Sequence, residues 1–291
     1  MFEFNIKNFL HIDFGETVVW PKRFELGYML PIIVKSAYQN NIGDFDNLAI
    51  FLNVKGILPG IMSLWVSLYS DEMVLQSGMW PLDRTMFALQ AGTAINIPAL
   101  PFASVKLTYT KIEPYCYTHN RNFNPWYNES GGPMETAYVN NGVGIGYYLP
   151  PNSDEVLLRF ETMMKNTAKL HFQYQMIRHG ADFGPSAVDG SSYYSELDTD
   201  GRNEKAELKK YFLHDGAYQW FHILKAGAEH KLNRLPVKVF GEAGVVFSYF
   251  TNIDGKANSG SLSSYHIVNE GPYTKTTDII LTLGIKIFPD G

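Results

Sequence analysis

Long runs of alternating apolar and polar residues constrain the fold of this chain more than any other feature of its sequence. Successive side chains of a β-strand point to opposite faces, so alternation with a period of two indicates strands that have one apolar and one polar face. The clearest example is a pair of runs at 156–162 and 169–176, joined by a polar connection at 165–167. This pattern predicts an antiparallel hairpin.

The two faces of this hairpin differ in residue type. Its apolar positions are Val156, Leu158, Phe160, Leu170, Phe172, Tyr174 and Met176. Its polar positions are Arg159, Glu161, Lys169, His171, Gln173 and Gln175. Because the polar face of a membrane β-barrel lines its interior, we predict that Arg159, Glu161, Lys169 and His171 line a lumen.

The same alternation recurs along the rest of the chain. A second pair of strands is predicted at 220–250, with a turn at 233–236, and its polar face adds Lys238 and Glu242 to the predicted lumen-lining residues. The sequence also predicts a last strand at 279–287 and less regular strands at 48–54, 61–69, 85–97 and 103–112. The total is roughly ten to twelve strands, at about 10 residues per strand.

The predicted connections between strands fall into two classes of length. Those near residues 165 and 233 are short, whereas those at 117–138, 179–218 and 251–277 are long and polar. Short turns at one end and long loops at the other are typical of a barrel that spans the outer membrane. We therefore predict an all-β fold, a transmembrane antiparallel β-barrel with short periplasmic turns and long extracellular loops. Residues 1–291 are predicted to form one domain, with a short helix at 203–213.

A soluble β-sandwich is the alternative fold, because its strands also alternate polar and apolar residues. The length of the alternating runs favours the barrel, as do the charged residues on the face that would line a lumen. Composition agrees with the barrel. Charged residues make up 18% of the chain and aromatic residues 14%, which suits a sheet whose outer face meets a medium less polar than water.

Charge and cysteine content exclude several classes of function. The formal net charge is -5 and no run of lysine or arginine is present, so the chain lacks the basic footprint of a nucleic-acid-binding protein. Cys116 is the single cysteine, which excludes an intramolecular disulfide and a metal site built from several cysteines. The sequence implies no metal and no cofactor.

The sequence contains no stretch of roughly 18 apolar residues, the length that a membrane helix requires. Residues 1–14 also lack the basic region, apolar run and cleavage site of a secretory signal. Because a protein of the outer membrane is exported with such a signal, we expect this chain to be a mature form or to lack its N-terminal part.

Carboxylates near the predicted strand ends were considered as an acid–base pair for glycoside cleavage. Asp71 and Glu72 are adjacent, as are Asp154 and Glu155, and adjacent strand residues point to opposite faces, so neither couple forms a facing pair. We expect these carboxylates, together with Glu16, to bind neighbouring loops or backbone amides. The common hydrolase signatures are absent as well, so the chain is predicted not to be an enzyme.

Several short segments, in the same order along the chain, resemble one known family. They are 15–19 (GETVV), 23–28 (RFELGY) with Pro31, 46–47 (DN), 69–72 (YSDE), 106–110 (KLTYT), 115–119 (YCYTH) and 146–155 (GYYLPPNSDE). Together they are similar to the Wzi family of capsule-assembly outer-membrane proteins. The matches extend from about residue 11 to residue 178, and the strand pattern continues beyond them.

The resemblance implies a large outer-membrane barrel that binds capsular polysaccharide and helps to attach it to the cell surface without enzymatic turnover. Its partners would be a surface polysaccharide and outer-membrane lipid. Members of the family are larger than this chain and begin with a signal peptide, so the first strands of the barrel are expected to be missing here.

Residue types suited to sugar binding cluster in two places. Aromatic rings bind the apolar side of a pyranose ring, while amides, carboxylates and cations bind its hydroxyls or acidic groups. The first cluster consists of Tyr115, Tyr117, His119, Arg121 and Trp126, and the second of Gln173, Gln175 and Arg178. We hypothesise that both contact glycan. In the alternative reading, the aromatic residues form a girdle at the membrane interface and the polar ones are solvated.

A second function is compatible with the same sequence. A barrel whose lumen is lined by Lys169, His171, Lys238 and Glu242 could pass small solutes as a diffusion channel. Polysaccharide binding in the outer membrane is the predicted function, and the channel and a soluble β-sandwich lectin are its alternatives.

Overall fold

The computed structural model describes most of the chain. The described residues are 1–20, 24–30, 33–42, 46–72, 86–100, 102–118, 137–140, 143–164, 168–180, 212–213, 218–232, 236–251 and 273–287. They form an all-β structure with two short helices, α1 (Leu26–Met29) and α2 (Lys35–Ile42).

Eleven strands form one large sheet. They are β1 (Phe2–Ile6), β2 (Leu10–Val19), β3 (Asn47–Leu58), β4 (Met62–Glu72), β5 (Met86–Ile97), β6 (Ala103–Ile112), β9 (Ser153–Met164), β10 (Ala168–Gly180), β11 (Tyr218–Lys231), β12 (Val237–Thr251) and β13 (Tyr273–Ile287). Two strands of two residues each, β7 (Val139–Asn140) and β8 (Val143–Gly144), pair with each other between β6 and β9.

The large sheet is an antiparallel meander. Its spatial order follows the chain, β1-β2-β3-β4-β5-β6-β9-β10-β11-β12-β13, and every neighbouring pair is antiparallel. Within the described residues the sheet is open, with β1 and β13 as its two edges. Because eleven strands alternate in direction, β1 and β13 run the same way. All-antiparallel closure would therefore require an odd number of further strands between them.

The predictions of secondary structure compare well with these bounds. Strands predicted at 85–97 and 103–112 are found at Met86–Ile97 and Ala103–Ile112, and the hairpin predicted at 156–176 is found as β9 and β10. The antiparallel all-β class is confirmed, whereas a closed barrel is not seen. The helix predicted at 203–213 lies outside the described residues, apart from 212–213. Helices α1 and α2 were not predicted.

Connection length alternates between the two ends of the strands. The connections at one end are short, at 7–9, 59–61, 98–102, 165–167 and 232–236, and we call this end the short-turn end. The connections at the other end are long, at 20–46, 73–85, 113–152, 181–217 and 252–272, and we call it the long-loop end. The asymmetry predicted from the sequence is therefore confirmed.

The sheet has two chemically different faces. Residues opposite each other on antiparallel strands share a face, so the strand registers assign each side chain to one of the two. The apolar face carries, for example, Val66 of β4, Phe160 of β9, Phe172 of β10 and Ile279 of β13. The alternate residues form the polar face. Each large apolar strand residue that is exposed lies on the apolar face, including Val66 at 45% and Ile279 at 84%.

Charged residues of the apolar face are confined to its margin. In the described strands, the aspartate, glutamate, lysine and arginine residues on this face are Glu16, Lys111, Asp154, Arg178 and Lys275. All five lie close to the long-loop end of their strands. From there to the short-turn end the described strands carry no aspartate, glutamate, lysine or arginine on the apolar face.

A buried cluster covers the polar face at the long-loop end. Its strand residues are Met86, Ala88 and Ile112, and the connection between β6 and β9 contributes Tyr115, Cys116, Tyr117 and Leu149. This connection therefore folds over the polar face rather than away from it. Tyr69 and Tyr138 pack against the cluster, with their ring centroids 5.2 Å and 5.8 Å from that of Tyr117.

Candidate functional site

Ion pairs cover the polar face toward the short-turn end. Three carboxylates each lie between two basic side chains. Glu161 contacts Arg159 at 2.6 Å and Lys169 at 2.8 Å. Glu242 contacts His171 at 3.0 Å and Lys225 at 3.2 Å. Glu229 contacts Lys238 at 2.8 Å and Lys286 at 3.0 Å. The six residues predicted to line a lumen, Arg159, Glu161, Lys169, His171, Lys238 and Glu242, thus share one face. The sequence did not single out Lys225, Glu229 or Lys286.

Three aromatic rings lie flat on this face because glycines leave space beneath them. A Cβ added to Gly92 of β5 would lie 2.3 Å from the Trp65 ring of β4, which shows that the indole covers the glycine. The same relation holds for His171 over Gly227 and for Phe240 over Gly284. Glycine within a strand often marks such a close approach. The sequence named His171 but did not indicate any of the three pairings, because each glycine and its aromatic partner belong to different strands.

A row of polar side chains crosses four strands beside the Trp65 ring. Lys106 of β6 is opposite Arg159 of β9. Arg159 is opposite Gln173 of β10, and Gln173 is opposite Lys225 of β11. We call these four residues the Lys106–Lys225 row. The Nζ atom of Lys106 lies 5.1 Å from the centroid of the Trp65 ring, within the range of a cation–π interaction.

Gln173 and Gln175, which were predicted to contact glycan, lie together on the polar face. Gln175 Nε2 donates to Tyr148 Oη at 2.7 Å and to Glu155 Oε2 at 3.1 Å. Tyr147 donates to the other oxygen of Glu155 at 3.2 Å. Burial raises the pKa of Tyr147, which keeps its hydroxyl protonated as a donor. The two glutamines thus lie between the buried cluster at the long-loop end and the ion pairs toward the short-turn end.

Tyr115 and Tyr117 do not present their rings to a ligand. Each is 3% exposed, and both belong to the buried cluster at the long-loop end. The backbone N–H of Tyr117 donates to Asp71 Oδ2 at 2.7 Å, which fixes this part of the connection to β4. The position of these rings corrects the prediction that they contact glycan, because a buried ring has no free face on which a sugar can stack.

Arg178 lies on the apolar face, opposite to Gln173 and Gln175. Its Nε donates to Asp154 Oδ1 at 2.8 Å, its Nη2 donates to Asp154 Oδ2, and its guanidinium lies 5.2 Å from the Trp220 ring centroid. Asp154 is fully buried and also accepts from Tyr109 Oη at 3.2 Å. Arg178 therefore belongs to a separate contact, which corrects its assignment to one glycan site with the two glutamines.

The remaining predicted glycan contacts, His119, Arg121 and Trp126, lie outside the described residues. Their positions therefore neither support nor contradict the prediction.

An aromatic belt occupies the apolar face toward the long-loop end. Its members are Tyr174, Trp220, His222 and Tyr249. His222 connects them, because its ring is stacked on those of Tyr174 and Trp220 and meets that of Tyr249 edge-on. Tyr174 Oη and His222 Nδ1 are hydrogen-bonded at 2.9 Å. Two members of the belt contact charged residues of the margin: Trp220 contacts Arg178, and Tyr249 contacts Lys275.

Glu16, Asp71 and Glu155 bind neighbouring connections or backbone amides, as predicted, whereas Asp154 binds side chains of the adjacent strands β6 and β10. Glu16 accepts from the backbone N–H of Lys35 at 2.6 Å, at the start of α2. Asp71 accepts from the Tyr117 backbone, and Asp154 and Glu155 lie on opposite faces with different partners. No acid–base pair faces across a cleft among these carboxylates. The side chain of Glu72 lies outside the described part of the structure.

The described residues lack a metal-binding group of side chains and a helix that could cross a membrane. No group of three or more His, Cys, Asp or Glu side chains there is arranged to hold a metal ion. None of the described helices has the length and apolar character needed to cross a membrane. Cys116 is fully buried, as expected of a packing residue.

Comparison with known proteins gives no further identification. No protein-family model, no curated protein and no solved structure matches the chain.

Proposed function

We propose that this sheet is part of the wall of an outer-membrane β-barrel, with its polar face directed inward and its apolar face in contact with lipid. One observation carries the proposal. Exposed large apolar residues of the apolar face occur on ten of the eleven strands of the sheet, and the charged residues of its described strands lie only at the long-loop margin. In water such a surface would be far larger than the apolar patches that soluble proteins tolerate. In a bilayer it is the required outer surface.

Two further features support a membrane barrel. The strands β9 to β13 contain 12 to 15 residues, whereas about 9–11 tilted residues cross the hydrocarbon core. The aromatic belt around His222 lies at the charged margin, where Trp220 is opposite Arg178 and Tyr249 is opposite Lys275, and aromatic girdles of membrane barrels occur at such an interface. The long-loop end would then face outward from the cell.

A soluble β-sandwich would bury the apolar face against a second sheet. In the described residues the only other sheet consists of β7 and β8, which have two residues each. These strands are far too short to cover a sheet of eleven strands. The barrel therefore accounts for the apolar face better than the sandwich does.

Polysaccharide binding without turnover is the function that we propose for the barrel. The polar face offers amide groups, basic side chains and flat aromatic rings on one continuous wall, which are the groups that bind sugar hydroxyls, acidic groups and ring faces. The resemblance of the sequence to the Wzi family supports the same function. Outer-membrane lipid and a surface polysaccharide would be the two partners.

A diffusion channel is the second candidate, and the ion pairs of the polar face favour it to some extent. However, the buried cluster of Tyr115, Cys116, Tyr117 and Leu149 occupies the polar face at the long-loop end. A connection packed in this position narrows the interior. Conductance in a planar bilayer distinguishes the candidates, because a channel gives discrete current steps and a plugged sugar-binding barrel is nearly silent.

Membrane fractionation tests the location, and a gel of the detergent extract with and without heating tests the barrel. Recovery in the outer membrane with a heat-dependent shift in mobility is the expected result. A protein recovered in the aqueous fraction, with the same mobility before and after heating, would overturn the barrel and favour the sandwich.

A further inference from the structure

We infer that the Lys106–Lys225 row and the neighbouring Trp65 ring form a binding site for an acidic polysaccharide. This inference rests on the proposed function and specifies the chemical class of the glycan and the residues that bind it. None of Trp65, Lys106 and Lys225 was among the residues predicted from the sequence.

Positive charge exceeds negative charge at this position. The charged residues of the row and of the ion pairs that extend from it are the basic Lys106, Arg159, Lys169 and Lys225 and the acidic Glu161 and Glu242. Both carboxylates already contact two basic groups each. Four lysine and arginine side chains therefore stand against two carboxylates, so two positive charges of this group remain uncompensated. Carboxylate groups at regular intervals along a polymer would balance this excess.

Trp65 supplies a surface for the sugar ring itself. One side of the indole lies on Gly92, so its other side is directed away from the sheet, toward the region that the ligand would occupy. Lys106 is exposed and its Nζ atom lies 5.1 Å from the ring centroid. A pyranose that stacks on this side of the indole would take the place of the Lys106 ammonium over the ring, and the displaced ammonium would then be within reach of an acidic substituent of the same sugar. Stacking selects a sugar, whereas the ammonium group selects an acidic one.

Arg159 and Gln173 continue the row with groups that can bind a second sugar unit. Arg159 Nη2 contacts Glu161 at 2.6 Å, and 41% of the Arg159 side chain is exposed. Among the described residues, Gln173 donates a long hydrogen bond to Gln175 Oε1 at 3.4 Å. A partly exposed guanidinium is suited to a carboxylate, and an amide is suited to sugar hydroxyls.

The dimensions of the row fit an oligosaccharide segment. Four adjacent strands carry it, and neighbouring strands are about 4.8 Å apart, so the Cα atoms of Lys106 and Lys225 are separated by roughly 14 Å across the sheet. A single small anion would contact one or two of these side chains. A polymer lying across the strands would contact all of them and the indole together.

The test uses the purified protein in detergent, with polygalacturonate as the acidic probe and dextran as the neutral one. Wild-type protein should bind polygalacturonate, and binding should weaken as salt is added. Lys106→Ala and Lys225→Ala should each weaken binding about tenfold or more, since each removes a charge-assisted hydrogen bond to the polymer. Lys275→Ala, which removes a lysine from the apolar face, is the matched control and should bind like the wild type.

Each outcome distinguishes this inference from the function on which it rests. Equal binding of dextran and polygalacturonate, or full binding by both lysine variants, would overturn the acidic site and leave glycan binding intact. Failure to bind either polymer would overturn both. Displacement of the polymer by an equal concentration of free galacturonate would identify a site for small anions instead. The heat-dependent mobility shift shows that each variant is folded.

Discussion

The two faces of the sheet belong to the same strands, yet charged residues are distributed differently on them. On the polar face, Glu161, Glu229 and Glu242 each lie between two basic groups and remain partly exposed. On the apolar face, charged strand residues lie only at the long-loop margin, where Asp154 is fully buried and bound in a bidentate contact by Arg178. Adjacent residues of one strand thus have different chemical surroundings, and under the proposed function they face two different media.

This difference indicates where a substitution should matter. A charge introduced on the polar face meets water and other ions, whereas a charge introduced on the apolar face meets hydrocarbon if the proposal is right. Ranking substitutions by face rather than by residue type therefore tests the membrane assignment directly.

The largest effect is expected from Val66→Arg at the centre of β4. Val66 is 45% exposed on the apolar face, and an arginine near the bilayer midplane costs about 2–4 kcal/mol. Urea unfolding in phospholipid vesicles measures the loss. Ser67→Arg, the next residue and on the polar face, is the control and should lose far less. Equal losses for the two variants would contradict the assignment of the faces, because an exposed valine of a soluble sheet tolerates arginine within about 0.5 kcal/mol.

The next effect is expected at the charged margin of the apolar face. Asp154→Asn removes the carboxylate that binds Arg178 and Tyr109. Removing one partner of a buried ion pair costs about 3–5 kcal/mol, and the partial exposure of Arg178 reduces this to about 3 kcal/mol or less. The same unfolding experiment measures the loss. In the double variant Asp154→Asn, Arg178→Met the uncompensated guanidinium is gone, so part of the stability should return. If the double variant is no more stable than the single one, the pair does not act as described.

Much of this architecture was predictable because alternation is a local property of the sequence. The period of two placed Arg159 and Glu161 on one face and Phe160 on the other, which the registers of β9 and β10 confirm. The same rule would have separated Arg178 from Gln175, since 175 and 178 differ by an odd number. That error came from grouping residues by sugar chemistry without applying the strand period.

Other features depend on contacts between distant parts of the chain. Nothing local in the sequence indicates that Tyr115 and Tyr117 are buried, because their burial depends on how the connection between β6 and β9 folds over the sheet. Likewise, Trp65 and Gly92 meet only after β4 and β5 are paired in one particular register. The single available signal was a glycine within an otherwise regular strand.

A smaller effect is expected where a ring lies flat on the polar face. A Cβ at Gly92 would lie 2.3 Å from the Trp65 ring and 2.9 Å from the carbonyl oxygen of Leu107. Gly92→Ala should therefore displace the indole and cost about 1–3 kcal/mol, as overpacking does. Gly56→Ala is the matched control, because nothing lies within 4 Å of a Cβ at that position. Tryptophan fluorescence, measured with unfolding, should change for Gly92→Ala alone. An unchanged spectrum and an unchanged stability would show that the ring does not depend on this glycine.

The smallest effect is expected within the ion pairs of the polar face. Glu229→Gln leaves Lys238 and Lys286 without their shared carboxylate. Both lysines and the glutamate are partly exposed, and such pairs contribute about 0–1 kcal/mol. The loss of stability should therefore be below about 1 kcal/mol and should disappear at 1 M salt, where the Debye length is about 3 Å. A loss as large as that of Asp154→Asn would mean that the polar face excludes water. In that case its lysines could not exchange their carboxylate partners for those of an acidic polysaccharide without a large desolvation cost.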